Sequence, residues 1–483
     1  MLTDHRNPVL NADWSDPDVV RVGTDYYMVA SSFNRVPGLP LLHSTDLVHW
    51  EIIGHALQSL GPSYTRPRHG CGVWAPALRH HDGLFWIFYP DPDHGIHVVT
   101  AQDPAGPWSP PWPIKEGRGL IDPCPLWADD GRAYLIHGWA KSRVGFNNRL
   151  TLHEMRPDAR SLLDAGEVVI DGDLIPGCSI LEGPKLYQHD GWYWVFAPAG
   201  GVTTGYQMVF RSRDIAGPYE HRITLAQGDS VVNGPHQGGW VDTPDGDHWF
   251  LHFQDRGVYG RVVHLQPMTW ADGWPVMGAD GVPAGPVAYS LTGPPGSDPF
   301  TSSEPGLQWT WQAEPDPSWL SLSPGRLELA CHRDAAVGDL RRLPNILGQR
   351  LPGAPCTATT TVTLTSTTPG ARAGLVVLGE AYAWIGIENT ETGQDLVYAT
   401  AVPDAPETVR RFPAESGEIR LTVHAGPGGE CRFAVGPHSA GPFTAVAGQW
   451  VGATLGLFAA APAGEGPAGR AAFGPFDVSP PHS

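Results

Sequence analysis

The chain of 483 residues is poor in sulfur and in positive charge. Six cysteines (Cys71, Cys124, Cys178, Cys331, Cys356 and Cys431) lie scattered with no Cys-x-x-Cys pair, which signals neither a zinc cluster nor a disulfide framework; free, mostly buried thiols are expected. Lysine and arginine total 31 against 50 aspartates and glutamates, a net charge of −19. No basic stripe offsets that excess, which argues against nucleic acid or an anionic membrane surface as a partner and favours a neutral ligand. No stretch approaches the length of a membrane span, and residues 1–8 lack the apolar core of a signal peptide, so a cytoplasmic protein is the simplest expectation. Nor is there a long apolar run at a 3.6-residue period, so major helices are not expected.

What the chain has in quantity is 59 glycines, 49 prolines and 19 tryptophans, a turn-rich, all-β composition. Five turn signals, Thr24-Asp25, Asp82-Gly83, Asp130-Gly131, Asp190-Gly191 and Asp245-Gly246, each precede an aromatic-rich run such as Leu84-Phe85-Trp86-Ile87-Phe88 or Trp192-Tyr193-Trp194-Val195-Phe196. An Asp-Gly pair suits a two-residue hairpin because a type I′ turn needs positive φ at both positions. The turns follow one another at steps of 58, 48, 60 and 55 residues. Five such units, each a small sheet that cannot bury both faces alone, predict a five-bladed β-propeller.

Eight residues before the first four turns stand Asp16, Trp74, Asp122 and Glu182, and nine before the last stands His236. Equivalent positions in a radial repeat sit at equivalent radii, so these five side chains should converge at one end of the central channel. Three of them are acids. A ring chosen for stability alone would avoid neighbouring carboxylates, which repel and lose hydration, so the ring reads as a chemical site. Paired carboxylates are what glycosidic cleavage requires: one protonates the leaving oxygen, the other attacks the sugar or activates water.

Asn7-Pro8-Val9-Leu10 with Ser15-Asp16-Pro17-Asp18, then Val73-Trp74-Ala75-Pro76, Ile121-Asp122-Pro123 and Glu182-Gly183-Pro184-Lys185-Leu186, all in register, resemble glycoside hydrolase family 43 over about residues 7–280. The resemblance implies a five-bladed propeller, with β-xylosidases and α-L-arabinofuranosidases as typical activities. It implies Asp16 as general base, Glu182 as general acid and Asp122 as the third acid that tunes Glu182. It places Phe33, Trp74, His236 and Arg261 at the pocket for the terminal sugar, Arg261 following Gly260 on an expected inner strand. Many members hold calcium or another ion near the axial histidine. One imidazole is a poor calcium site, since calcium takes six to eight oxygens, so no cofactor is expected to be required and His236 is a candidate for a structural ion only. One departure is the first-blade loop: relatives commonly carry a tryptophan where this chain has Asn34-Arg35-Val36.

Residues 1–292 are expected to form the catalytic propeller and 293–306, rich in Pro, Gly and Ser, a linker. Short β runs such as 357–365, 383–388 and 454–459 lie beyond and suit a sandwich. Gln308-Trp309-Thr310-Trp311 and the Asp316-Pro317-Ser318-Trp319 segment resemble the concanavalin-like module of β-xylosidases in this family, placing a β-sandwich over 307–483 that covers one propeller face. The expected function is an exo-acting, inverting glycosidase that releases terminal β-D-xylose from xylo-oligosaccharides and also acts on α-L-arabinofuranose. The alternatives are an enzyme mainly for arabinose-containing oligosaccharides and a non-catalytic sugar-binding propeller. A fructosidase-type propeller is disfavoured, since no Asn-Asp-Pro-Asn-Gly motif occurs near the amino terminus.

Overall fold

Alternating aromatic and β-branched runs broken by short turns form five four-stranded antiparallel sheets in strict chain order, arranged as the blades of a propeller. The structure, a computed structural model, describes residues 5–414 and 417–481. The first strands of the blades are Asp18–Val22, Ala77–His81, Leu120–Trp127, Lys185–His189 and His236–Asp242. Each sheet is apolar on both faces and buries them against its neighbours. Trp194 and Phe196 of blade four, for example, pack with Phe250, Met268 and Trp274 of blade five. Burying a side chain of this size contributes about 1.5–3 kcal/mol. Among the described residues the only α-helical segment is the four-residue Lys141–Val144. All six cysteines are free, and four of them are buried.

The turns vary more than the repeat suggests. Asp82-Gly83 and Asp190-Gly191 are two-residue turns, with φ of 50° and 73° in one and 51° and 68° in the other. In blade one Val22 pairs with Asp25, so the turn is Gly23-Thr24, one residue earlier than expected. Asp130 and Asp245 sit in longer loops over 128–132 and 243–247. There, side chains compete for the backbone: Asp130 Oδ1 accepts the Arg132 amide at 2.9 Å, and Thr243 Oγ1 accepts the Asp247 amide at 3.1 Å.

The ring closes through the amino terminus. The Val9 and Leu10 amides donate to Val263 O in the third strand of blade five, and the Val263 amide donates back to Leu10 O. The chain then crosses to a β-sandwich of two eight-stranded sheets. Asp298 pairs with Phe476 and Phe300 is buried in the sandwich core, so the stretch from 298 onward is already built into this second domain. Trp309, Trp311 and Trp319 are core residues beside it.

The sandwich docks on the first-blade loop. Val36 forms a bridge with Trp311, Asn34 Nδ2 donates to Gln312 O at 2.6 Å, and Arg35 Nη2 donates to Thr454 Oγ1 at 2.5 Å. The segment Asn34-Arg35-Val36 thus holds the second domain.

Candidate active site

Asp16, Asp122 and Glu182 arrive from blades one, three and four at one pocket of about 840 Å³, walled by Phe33, Trp74 and Arg261 among others. The sequence placed all six there. Five side chains at or near the pocket stand on residues with left-handed backbone: Asp16 (φ 55°), Phe33 (51°), Asp122 (55°), Ile180 (53°) and Gln237 (30°). Such conformations cost non-glycine residues on the order of 1–3 kcal/mol each and persist where the surroundings over-determine them. Their concentration at this pocket marks it as the place where geometry outranks stability.

Asp16 is held by donors. Ser31 Oγ donates to Oδ2 at 2.6 Å and Ser15 Oγ at 3.1 Å, and Arg261 Nη1 lies 3.3 Å from Oδ1. The same nitrogen donates to Ser15 Oγ at 2.5 Å, and the guanidinium carbon sits 5.0 Å from the centre of the Phe253 ring. Arg261 opens the third strand of blade five, Arg261–Ala271, rather than an inner strand. It reaches blade one because that strand is the one the amino terminus closes onto. This cage of donors suits an acceptor-only carboxylate.

Glu182 has the opposite surroundings. Its carboxyl receives no hydrogen bond from any described residue, and His236 Nε2 stands 3.5 Å from Oε1. Burial, then the charges of Asp122 and Asp16, push its pKa above the ordinary carboxylic range, against the weaker pull of Arg261. Burial and Asp16 also raise Asp122, but the Gly183 amide donates to Asp122 Oδ2 at 2.8 Å, and Lys185 and Arg261 act to lower it. Of the coupled pair, the proton therefore belongs on Glu182, the member without a donor. Gly183 has φ 60°, and a Cβ there would stand 2.8 Å from the Gln237 side chain; glycine lets the amide next to Glu182 face Asp122. Beneath the acids, buried Lys185 donates to Pro76 O at 2.7 Å and stands 3.4 Å from Asp18 Oδ2.

His236 requires a correction. It is wholly buried and stands behind Glu182 rather than in the pocket wall. A bulge at Gln237 is the cause: His236 pairs with Phe253 and Gly238 with His252, so the extra residue swings Gln237 into the wall instead. Burial holds His236 down to about 3, a neutral ring. The ring and the Glu182 carboxyl beside it offer a calcium ion one nitrogen and one carboxyl, short of the six to eight oxygens that it takes, so these side chains alone do not fit it. Among the described residues no group of three or more His, Cys, Asp or Glu side chains is arranged to hold a metal.

Sequence reasoning missed Trp450, Ile180, Gln237 and Ser31. Trp450 comes from the sandwich, is 47% exposed, and meets Trp74 edge to face at 6.4 Å across the pocket mouth. Its signal was a lone tryptophan in Gly448-Gln449-Trp450-Val451-Gly452, a loop tip between glycines in a domain whose sequence shows no acid ring comparable to the propeller's.

Against known proteins, residues 5–275 match the family described as "Glycosyl hydrolases family 43", and 297–479 match "Beta xylosidase C-terminal Concanavalin A-like domain". A putative beta-xylosidase of Xylanibacter ruminicola is 40% identical over 79% of this chain and 72% of its own length. A non-reducing end alpha-L-arabinofuranosidase of Bacteroides ovatus is 32% identical over 87% of this chain and 83% of its own. The solved xylan beta-1,4-xylosidase of Bacillus halodurans superposes with a TM-score of 0.85 at 25% identity, covering 98% of this chain and all of the other.

Proposed function

The chain belongs to glycoside hydrolase family 43 and is a glycoside hydrolase, and from that premise we propose that it removes terminal β-D-xylose from xylo-oligosaccharides with inversion. The observation that carries the reading is the unequal treatment of two carboxylates in one pocket. Asp16, held by three donors, takes a proton from the water that attacks the anomeric carbon. Glu182, protonated and with no donor of its own, gives its proton to the glycosidic oxygen as the bond breaks. Asp122 raises Glu182 by its charge and fixes the adjoining backbone through Gly183 N–H. Trp450 and Trp74 facing each other over the mouth support exo action, since they narrow the site to a pocket for one chain end.

Inversion needs the two carboxyl groups roughly 6.5–9.5 Å apart, with room for the water, and retention about 5–5.5 Å. Entry from blades one and four favours the wider gap. Proton NMR of the first-formed sugar tests it: a β-xyloside should release α-xylose, and fresh β-xylose overturns the assignment of Asp16 as a base acting through water. The second reading, an α-L-arabinofuranosidase, is favoured by the Bacteroides ovatus relative. Comparing kcat/KM on the nitrophenyl glycosides of β-D-xylopyranose and α-L-arabinofuranose separates the two.

A further inference from the structure

Behind the first-blade loop, between the propeller and the sandwich, lies a second, narrow cavity. Arg35 and His55 of the propeller and Arg350 of the sandwich face into it. Neither guanidinium pairs with a carboxylate among the described residues. Arg35 donates to Thr454 Oγ1, while Arg350 donates through Nε to Asp13 O at 2.5 Å and stacks on Trp14 at 3.7 Å. The carboxylate in the same wall is already engaged: Asp13 Oδ1 accepts the Arg261 amide at 2.9 Å and Oδ2 the Gly452 amide at 3.0 Å. His55 is 6% exposed, and its ring has no hydrogen-bond partner among the described residues. Three groups able to carry positive charge thus look onto one space, and they repel one another. Burial, and after it the charge of Arg350, holds His55 down to about 3, and burial brings both arginines down to about 10. The Asp13 charge offsets this in part, but one carboxylate stands against two buried guanidiniums; burying the excess positive charge is costly, and arginine does not escape by deprotonating.

We propose that this interdomain cavity binds a small inorganic anion of the chloride class, held by the guanidiniums of Arg35 and Arg350 with the His55 ring N–H as a further donor. Both oxygens of Asp13, the one carboxylate in this wall, are taken by backbone amides, so the charged groups with donors left for the space are the two guanidiniums; two cations against one engaged carboxylate suit an anion rather than a cation. The site bears on catalysis indirectly. Ser31 and Phe33 line both this cavity's loop and the catalytic side, Ser31 through its hydrogen bond to Asp16, and Val451-Gly452 adjoin Trp450. An anion here ties together the two domain segments that frame the catalytic pocket, whichever sugar that pocket takes.

The test uses the full chain in sodium gluconate, replaced stepwise by sodium chloride or bromide at constant pH and ionic strength. A saturable rise in Tm of about 2 °C is expected. It should vanish in Arg350→Met and in Arg35→Met. Those variants start from a lower Tm, because Arg350→Met also loses its stacking on Trp14, so the quantity compared is the halide increment within each protein. Bromide-soaked crystals should show an anomalous peak between the two guanidiniums. The proposal fails if the wild type shows no halide increment over gluconate, if the increment survives in Arg350→Met, or if the cavity holds no bromide peak.

Discussion

Asp16 and Glu182 enter the same pocket from blades one and four, yet Asp16 meets three donor side chains within 3.3 Å and Glu182 meets none. The two groups have nearly the same chemistry, so their difference belongs wholly to what the fold packs around them. Ser15, Ser31 and Arg261 make the Asp16 corner a place for negative charge. Burial, two acids and a neutral imidazole make the Glu182 corner a place for a proton. An acid and a base can therefore work at one pH without differing in kind.

Breaking the comparison at its base should have the largest effect. Asp16→Ala is expected to lower kcat/KM by about 10⁴ on xylobiose and on dinitrophenyl β-xyloside alike, since water must be deprotonated whichever group leaves. Glu182→Ala should cost about 10³ on xylobiose yet less than about tenfold on the dinitrophenyl glycoside, whose leaving group departs unprotonated. Equal losses on both substrates would deny Glu182 the role of acid.

Subtler changes sharpen the contrast. Activity falls as pH rises through the Glu182 pKa, because the acid must hold its proton. Asp122→Asn removes a charge that raises this pKa, so the basic limb of the kcat/KM profile should move toward acid by about one pH unit. A limb that stays in place, or moves the other way, contradicts the proton assignment. Trp450→Ala should raise KM about three- to tenfold with little change in kcat, as expected of a residue that only binds, and steady-state kinetics read this directly.

The smallest effect is on stability. Glu182 is raised in the folded state, so the native protein binds more protons than the unfolded chain between the ordinary carboxylic pKa and the raised one. Stability is thus present at low pH and lost as pH rises across that window. Glu182→Gln should raise stability on the order of 1 kcal/mol above the window and leave it unchanged below, as seen in denaturant titrations at two pH values.

Much of this site was legible because the repeat is legible: aromatic runs and Asp-Gly turns revealed five blades, and counting back from them reached the acids. Part of that success was compensation. The Ser31 amide donates to Ser15 O, whereas in blades two and four the equivalent pairs are Trp74 with Pro90 and Glu182 with Pro198. By backbone pairing the counterpart of Glu182 is therefore Ser15, and the first turn also lies one residue earlier than expected. Asp16 reaches the axis through its left-handed φ, which residue counting cannot see. His236 and Gln237 exchanged places for a similar reason, since a single bulge reverses which side chain faces the pocket. Trp450 was out of reach because domain docking, unlike a repeat, leaves no periodic trace.

The closure of residues 7–10 onto Val263 has a consequence for the order of events at the ribosome. Asp16 emerges early, but the guanidinium that neutralises it belongs to the strand that completes the ring, some 245 residues later. Joining ends so far apart costs about 5 kcal/mol of chain entropy, and this must be met by contacts made all along the closing seam. A nascent chain of four blades would carry Asp16 with its two serine donors but without Arg261, and the pocket open on one side. The pocket is thus complete only when the last blade meets the first.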